Sequence, residues 1–213
     1  MKEYHKIQTV FKRDPENHHK TLLIGEYSMP EFEYLKNNLW VFTEKVDGTN
    51  IRVMFNGNEI IFGGKTDNAQ IPAFLVQKLQ ERFLNQLDKF IEKFGVESSN
   101  VCFYGEGYGA KIQKGGGNYR QDQDFVLFDV KIGDWWLQRK DVEDIAKFFS
   151  IDIVPIIGEG TLDEMVEKAK NGFNSIWGDF IAEGIVARPK TELKSRNGQR
   201  VITKIKHKDF RVT

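Results

Sequence analysis

The sequence predicts an α+β fold, in which short strands form largely antiparallel sheets flanked by helices. Runs of β-branched and aromatic residues are short and end at glycine-containing turns, which is typical of antiparallel hairpins. Longer segments place apolar residues three or four positions apart, which indicates amphipathic helices. Strands and helices do not alternate regularly along the chain, so the pattern favours an α+β over an α/β arrangement.

Eight short segments are predicted strands because β-branched and aromatic residues dominate them. They lie at residues 40–44, 51–55, 59–62, 101–104, 125–132, 135–137, 184–188 and 200–206. Between consecutive strands lie dipeptides that accept the positive φ angles of tight turns, namely Asn-Gly at 56–57 and 197–198 and Gly-Asp at 133–134. These dipeptides predict hairpins, and the last of the three pairs of strands contains many basic residues.

Three segments are predicted helices. Apolar residues recur at helical spacing over 72–94, and Gly95 stands where such a helix would end. A shorter amphipathic pattern covers 141–149. The segment 161–164 matches a capping box and predicts the start of a helix that ends near Gly172.

The composition is that of an ordinary globular protein. The 213 residues are 40% hydrophobic and 29% charged, and no long linker divides them, so a single domain over 1–213 is expected. The lone Cys102 cannot form an internal disulfide. No apolar run approaches the ~20 residues of a membrane span, and the charged N-terminal segment does not match a signal peptide. We therefore expect a cytoplasmic protein without a membrane partner.

Charge is distributed unevenly along the chain. The 31 basic and 31 acidic residues sum to zero, which argues against binding nucleic acid through net charge alone. Residues 188–211 nevertheless contain nine Lys or Arg and only two acidic residues. This basic tail is expected to attract phosphates, although a solvated strand edge protected by lysines is the alternative.

Lys45 follows one predicted strand and precedes Gly48 and a second strand. A lysine directed into a cleft loses its proton more readily when it is desolvated or near other cations, and the neutral amine is a nucleophile. Gly48 would let the backbone approach a phosphate closely. By itself the pattern Lys-x-Asp-Gly is short, and a surface lysine beside a turn explains it equally well.

Four further segments follow the lysine segment in order along the chain. They are Phe103-Tyr-Gly-Glu106, Phe128-Asp129, Glu183-Gly-Ile-Val186 and Lys204-Ile-Lys206. Together the five segments resemble the motif series of the covalent nucleotidyltransferases, the superfamily of ATP-dependent polynucleotide ligases and mRNA capping enzymes. This resemblance implies an ATP-grasp-like nucleotidyltransferase domain with ATP as a substrate.

The catalytic residues implied by the resemblance are Lys45, Glu183, Lys204 and Lys206. Lys45 would attack the α-phosphorus of ATP, and cations would be needed to offset the phosphate charge. Lys204 and Lys206 are two positions apart on a predicted strand, so they point to one face and can hold one phosphate together. Glu183 interrupts an apolar run, where its carboxylate requires either an ion pair or a metal ion, implied here to be Mg²⁺ or Mn²⁺.

The resemblance implies further residues that bind the nucleotide. Glu106 would bind the ribose, and the ring of Phe128 would stack on the base. Glu44, Asn50 and Lys65 complete the implied set. Relatives of the RNA ligase 2 type generally have arginine at the position of Lys65, which is a departure in this chain.

Within the superfamily the chain is most similar to RNA ligases of the RNA ligase 2 type. Residues 44–50 read Glu-Lys-x-x-Gly-Thr-Asn, and residues 105–114 read Gly-Glu-x-x-Gly-x-x-Ile-Gln-Lys. DNA ligases usually carry arginine where this chain has Asn50. They also carry Arg-Asn-Gly in the hairpin region, where this chain has Gly64-Lys65-Thr66. Both differences favour RNA over DNA as the substrate.

We therefore predict an ATP-dependent RNA ligase of RNA repair, which forms a lysyl-AMP intermediate and joins RNA 5′-phosphate and 3′-hydroxyl ends. The alternatives are a DNA ligase or capping-type nucleotidyltransferase, and a catalytically silent nucleotide- or RNA-binding module. Only residues 207–213 follow the last motif, so no appended C-terminal domain is expected in this chain. The sequence leaves open whether it is a minimal ligase or a fragment, and it indicates no protein partner.

Overall fold

The computed structural model describes residues 3–97 and 100–210 and confirms the α+β prediction. Thirteen strands are found in these residues. In chain order they are β1 Gln8–Thr9, β2 Phe11–Arg13, β3 Leu22–Tyr27, β4 Trp40–Lys45, β5 Thr49–Phe55, β6 Ile60–Gly63, β7 Val101–Gly109, β8 Gln123–Ile132, β9 Trp135–Trp136, β10 Asp152–Ile153, β11 Ile156–Gly160, β12 Gly184–Pro189 and β13 Thr203–Lys206.

Six α-helices lie between these strands. They are α1 Pro30–Tyr34, α2 Ala73–Phe83, α3 Leu87–Phe94, α4 Gly116–Tyr119, α5 Arg139–Phe149 and α6 Leu162–Asn171, with 3₁₀ turns at Leu84–Gln86 and His207–Phe210. The predicted capping box is present at the start of α6, where the Thr161 side chain accepts from the Glu164 backbone N–H. None of the described helices is long and apolar enough to cross a membrane.

The chain forms two compact units, each with its own hydrophobic core. The first unit contains the described residues of Met1–His5 and Asp47–Val154, and the second contains those of Lys6–Val46 and Pro155–Thr213. The prediction of one nucleotidyltransferase domain over 1–213 stays a prediction.

The first unit is built on a sheet with strand order β10-β8-β7-β5-β6, to which β9 adds by pairing with β8. All of its strand pairs are antiparallel except β10 with β8. Helices α2 and α5 pack against β8. The core between sheet and helices is rich in phenylalanine: Phe55, Phe83, Phe90, Phe103, Phe125 and Phe149 are fully buried.

The second unit is built on a sheet with strand order β1-β13-β12-β4-β11, accompanied by the β2–β3 hairpin. The central pairs β13–β12, β12–β4 and β4–β11 are antiparallel, and β1 runs parallel to β13. Helix α6 packs against β12 and β13. The hydrophobic core of the second unit includes Trp40, Phe42, Leu162, Met165, Ile185 and Ile205.

Two predicted elements differ from the structure. The helix expected over 72–94 is interrupted at Leu84–Gln86, where the Gln86 side chain donates at 2.6 Å to the carbonyl of Arg82, the acceptor that an unbroken helix would use for its backbone. The strand expected over 200–206 begins only at Thr203. Arg200 instead forms an isolated bridge with Lys194.

Candidate active site

Three neighbouring strands of the second unit place two predicted lysines in one row. Gly184 of β12 pairs with Lys45 of β4 on one side and with Lys206 of β13 on the other. Residues directly opposite on adjacent antiparallel strands direct their side chains to the same face. Lys45 and Lys206 therefore project from the same side of this sheet.

Glu183 joins these two lysines. Its Oε2 accepts a hydrogen bond from Lys45 Nζ at 2.6 Å, and its Oε1 accepts one from Lys206 Nζ at 2.5 Å. The Glu183 side chain is 9% exposed, whereas those of Lys45 and Lys206 are 20% and 22% exposed. The His207 N–H donates to the Glu183 carbonyl at 2.9 Å and fixes the backbone. Partial removal from water strengthens such charge-assisted hydrogen bonds.

Lys204 occupies the next row on the same face. It pairs with Val186 of β12, which in turn pairs with Thr43 of β4. Lys204 and Lys206 are half-buried and alternate with the buried Ile205, as their spacing predicts. The second unit thus gathers all four predicted catalytic residues on one sheet face.

Gly184 is required by the close approach of the neighbouring strand. A Cβ atom at this position would lie 2.1 Å from the Ile205 carbonyl oxygen and 2.7 Å from Lys206 Cα. Both atoms belong to the backbone, so the contact could be relieved only by moving β13 away from β12.

Replacement of Gly184 by alanine is expected to destabilise the protein by about 2 kcal/mol or more, because overpacking against backbone forces a strand to shift. Urea denaturation measures this loss. The matched control is Gly115→Ala, where the nearest atom to an added Cβ is 3.7 Å away. Equal stabilities of the two variants would contradict the close packing at Gly184.

Glu44 lies on the opposite face of β4 from Lys45. It is 1% exposed and shares this face with the buried Phe42. Its Oε2 accepts the Ile176 N–H at 3.1 Å, and the Ser175 side chain also hydrogen bonds to the carboxylate. The side chain therefore connects β4 to the segment that precedes β12. Its predicted contact with the nucleotide stays a prediction.

Burial raises the pKa of Glu44 above its usual value of 4.5, and the hydrogen bonds from Ser175 and Ile176 lower it by less. Because the folded protein holds the proton more tightly than the unfolded chain, stability falls as pH rises from the ordinary glutamate pKa to the raised one. We expect this fall to be absent in Glu44→Gln. Urea denaturation at about pH 4 and about pH 7 measures it, with the exposed Glu159→Gln as control. An identical pH dependence in wild type and Glu44→Gln would contradict the assignment.

Strands β5 and β7 of the first unit carry two predicted nucleotide-binding residues side by side. Asn50 Nδ2 donates to Glu106 Oε2 at 2.8 Å. Gly48 is packed against β7, since a Cβ atom there would lie 2.2 Å from the Gly107 carbonyl oxygen. Gln113 Nε2 donates to the Gly48 carbonyl at 2.9 Å. Gln113 lies in the segment 105–114, and the sequence assigned no role to it. In the structure its side chain holds the Gly48 backbone in place.

Phe128 occupies a β-bulge in the first unit. On β7, Tyr104 pairs with Asp129 of β8 and the next residue, Gly105, pairs with Leu127, so Phe128 has no direct partner. A bulge redirects the side chain of the extra residue and is frequent beside functional sites. Phe128 is half-buried, while Leu127 and Asp129 are fully buried.

Lys65 is exposed in the segment that follows β6. This segment is held by Arg52, a buried residue of β5 that the sequence analysis did not identify. Arg52 Nε donates to the Gly64 carbonyl at 2.9 Å, and its guanidinium pairs with Asp67 at 2.7 Å. The buried arginine thereby contacts the segment on both sides of Lys65, at the Gly64 backbone and at the Asp67 side chain.

Part of the basic tail is neutralised. Arg200 is 7% exposed and pairs with Glu192, and Arg188 lies 3.8 Å from the same carboxylate. Lys194 and Arg196 are exposed in the turn before Arg200. Arg200 is therefore tied into the fold by this pair, and a role for it in attracting phosphates stays a prediction.

The last basic residue of the predicted tail, Arg211, lies outside the described residues. Lys190 at the start of the tail pairs with Glu159 at 2.8 Å. Lys208 is also exposed, so the exposed basic residues Lys194, Arg196 and Lys208 are the ones that an external phosphate could reach.

The carboxylate of Glu183 in the second unit suits a metal ion whose other ligands come from the substrate phosphates and water, not from further protein side chains. Among residues 3–97 and 100–210, no cluster of three or more His, Cys, Asp and Glu side chains is arranged to hold a metal. Mg²⁺ is commonly bound through one or two carboxylates together with substrate phosphates and water. Glu183 can supply one such carboxylate, and ligation would replace one of its two lysine hydrogen bonds.

The RNA ligase family model matches residues 38–206, which includes every motif segment described above. The match covers well over half of the chain. The chain belongs to the RNA ligase family. The resemblance that the sequence suggested is therefore confirmed at the level of the family.

RNA ligase structures from Naegleria gruberi share the fold. A variant with ATP and Mn superposes with a TM-score of 0.67 at 18% sequence identity, covering 97% of this chain and 56% of that chain. A variant with AMP and Mn gives 0.63 at 19%, covering 96% and 57%. The same enzyme with PPi gives 0.63 at 20%, again covering 96% and 57%. This RNA ligase family member thus spans little more than half the length of those structures.

Proposed function

We propose that this chain is an ATP-dependent RNA ligase that works through an AMP adduct on Lys45. The observation that carries the proposal is the cluster of Lys45, Glu183 and Lys206 on one sheet face of an RNA ligase family member. In the first step the neutral Lys45 amine attacks the α-phosphorus of ATP. A P–N bond forms, the bond to the bridging oxygen breaks, and pyrophosphate leaves.

Two further transfers complete the proposed reaction. The RNA 5′-phosphate takes AMP from Lys45, so that a pyrophosphate bond replaces the P–N bond. The RNA 3′-hydroxyl then attacks that 5′-phosphate and releases AMP as a phosphodiester forms. In each of the three steps one bond to phosphorus forms as another breaks, and the leaving groups are pyrophosphate, the Lys45 amine and AMP in turn.

The charges around Lys45 suit its proposed role. The amino groups of Lys45 and Lys206 both hydrogen bond to the Glu183 carboxylate, so two cations lie beside one anion. Any ligand that draws the Glu183 carboxylate away from Lys45 therefore leaves an amine beside a cation. Lys204 and Lys206 would offset the charge on the α-phosphate.

Glu183 is the residue that would hold a divalent cation. When bound, Mg²⁺ or Mn²⁺ would orient the phosphates and offset their charge. The support is chemical, since Glu183 offers a carboxylate that is nine-tenths buried and lies between the proposed nucleophile Lys45 and the phosphate-binding candidate Lys206.

The nucleoside of ATP is proposed to be bound by residues of the first unit. Glu106, oriented by Asn50, offers a carboxylate to the ribose hydroxyls. Phe128, displaced from the strand ladder by the bulge, offers a ring for the base. Lys65 is proposed to contact the ribose or a phosphate. A contact of Glu44 with the nucleotide also stays part of the proposal.

RNA with 5′-phosphate and 3′-hydroxyl ends is the proposed polymer substrate, in a repair reaction within the cytoplasm. The buried, unpaired Cys102 is consistent with a reducing compartment. The proposal treats residues 1–213 as one nucleotidyltransferase domain.

The exposed turn of the basic tail is proposed to contact the RNA backbone. Lys194→Glu and Arg196→Glu are expected to weaken RNA binding and to reduce the slope of log affinity against log salt by about 0.7 per lost contact. Adenylylation of Lys45 should be unchanged. Arg200→Ala is the contrast, because removing a buried arginine that pairs with Glu192 should also lower stability, by about 1 kcal/mol. Unchanged RNA affinity in both turn variants would place RNA on another surface.

The experiment that tests the proposed function incubates the protein with α-labelled ATP and Mg²⁺ or Mn²⁺, followed by a denaturing gel. Label retained on the protein and released by acid supports a lysyl-AMP adduct. Parallel reactions with GTP, and with nicked RNA or nicked DNA, separate an RNA ligase from a capping enzyme and a DNA ligase. If ATP raises the melting temperature but no label is retained, the protein is a nucleotide-binding module and the proposal is wrong.

A further inference from the structure

We propose that Tyr4 is a positioning residue for Phe128, a role that rests on the proposed function. Tyr4 and His5 belong to the first unit, although the residues that follow them belong to the second. The Tyr4 ring meets the Phe128 ring edge-on, with 5.0 Å between centroids. The N-terminal segment thus contacts the side chain that the base is proposed to stack on.

A hydrogen bond fixes Tyr4 in this position. Its hydroxyl donates to Asp129 Oδ2 at 2.8 Å. Asp129 is 0% exposed, and a buried carboxylate is costly unless it accepts hydrogen bonds. Because Asp129 directly follows Phe128 in the chain, the same residue anchors Tyr4 and adjoins the bulge.

Aromatic rings hold Tyr4 from the other sides. The centroids of Tyr104 and Trp136 lie 5.1 Å and 5.5 Å from that of Tyr4. Lys131 Nζ lies 5.5 Å from the Trp136 ring and extends the cluster. A ring packed edge-on against several neighbours keeps a single orientation.

The bulge explains why Phe128 needs such support. The ladder of backbone hydrogen bonds does not fix an extra residue as it fixes Leu127 and Asp129 on either side. A ring that must be in place before the base arrives binds more tightly if its orientation is already set. Tyr4 supplies that constraint through side-chain contact, and Asp129 holds Tyr4.

The test measures the KM for ATP and the kcat of Lys45 adenylylation in Tyr4→Ala and Tyr4→Phe. Loss of one aromatic pair is expected to raise the KM about threefold to tenfold in Tyr4→Ala, with kcat changed less than twofold. Tyr4→Phe keeps the ring and should recover at least half of this effect. Tyr34→Ala, at an 86% exposed tyrosine, is the control and should match wild type.

Measurements at a temperature well below each melting point separate positioning from unfolding. A partly unfolded variant would lose kcat in proportion to active protein and keep its KM, which would overturn the role of Tyr4. An unchanged KM in Tyr4→Ala, with wild type forming the adduct, would overturn it as well. If wild type itself forms no adduct, the proposed function fails first, and this role fails with it.

Asp129→Asn, which retains an acceptor for the Tyr4 hydroxyl, should resemble Tyr4→Phe rather than Tyr4→Ala.

Discussion

Replacement of Lys45 by alanine is expected to abolish formation of the enzyme–AMP adduct, with a loss of at least about a thousandfold in sealing. The Lys45 amine is the group proposed to form the P–N bond, so no other residue can take its place in that step. Glu183 keeps its hydrogen bond from Lys206 in this variant, so the local fold should persist. The measurement is retention of label from α-labelled ATP.

ATP binding by the Lys45→Ala variant should remain measurable, because the other proposed nucleotide contacts are unchanged. Isothermal calorimetry with ATP and Mg²⁺ measures it. Lys190→Ala is the matched control, since Lys190 is also a strand-adjacent lysine paired with a glutamate, at 2.8 Å from Glu159. Label retained on the Lys45→Ala variant would move the nucleophile to another residue.

The Glu183→Gln variant is expected to lose adenylylation and to be less stable. The amide has nearly the size of the carboxylate but no charge, so Lys45 and Lys206 would repel each other in a partly desolvated position. A hydrogen bond to a charged group contributes about 1.5–3 kcal/mol to stability. Because the two lysine side chains are about one-fifth exposed and the amide can still accept one hydrogen bond, we expect the variant to lose about 1–3 kcal/mol of stability in total. Adenylylation should fall about a hundredfold or more.

Glu159→Gln controls for this variant, because Glu159 pairs with Lys190 at the surface, with both side chains over one-third exposed. Its stability should change by less than about 0.5 kcal/mol. Urea denaturation and label retention provide the two readouts. A Glu183→Gln variant that is adenylylated at the wild-type rate would show that the carboxylate has only a structural role.

The sequence alone predicted the elements that carry strong local signals. The strands at 40–44 and 51–55, the hairpin turn between β5 and β6, and the capped start of α6 all follow from side-chain pattern and turn chemistry. The family resemblance likewise came from short segments whose order is visible in the sequence, and the family match confirms it.

The partners of Glu183 could not be predicted in the same way. Its isolation in an apolar run indicated that the carboxylate must be paired. Lys206 lies on β13, which was predicted to form a hairpin with β12, but Lys45 lies on β4, far away in the chain. Which strands become neighbours depends on the whole sheet rather than on local sequence. For the same reason the parallel contact of β1 with β13 and the attachment of Tyr4 to the first unit carried no recognisable signal.

Glu44 shows a different limit. The motif identifies it beside Lys45, but alternation along β4 sends the two side chains to opposite faces. A motif gives the order of residues, and the strand geometry decides which of them can meet one ligand. The helix break at Leu84–Gln86 was also not predicted, because the apolar residues Phe83 and Leu87 keep helical spacing across it.

The most direct test of the account is peptide mapping by mass spectrometry after incubation of the wild-type protein with ATP and Mg²⁺. The account predicts one AMP group per modified chain, located on Lys45, removed by acid and lost on addition of pyrophosphate. An AMP group on Lys204, Lys206 or another residue, or none on a protein that still seals RNA, would contradict it.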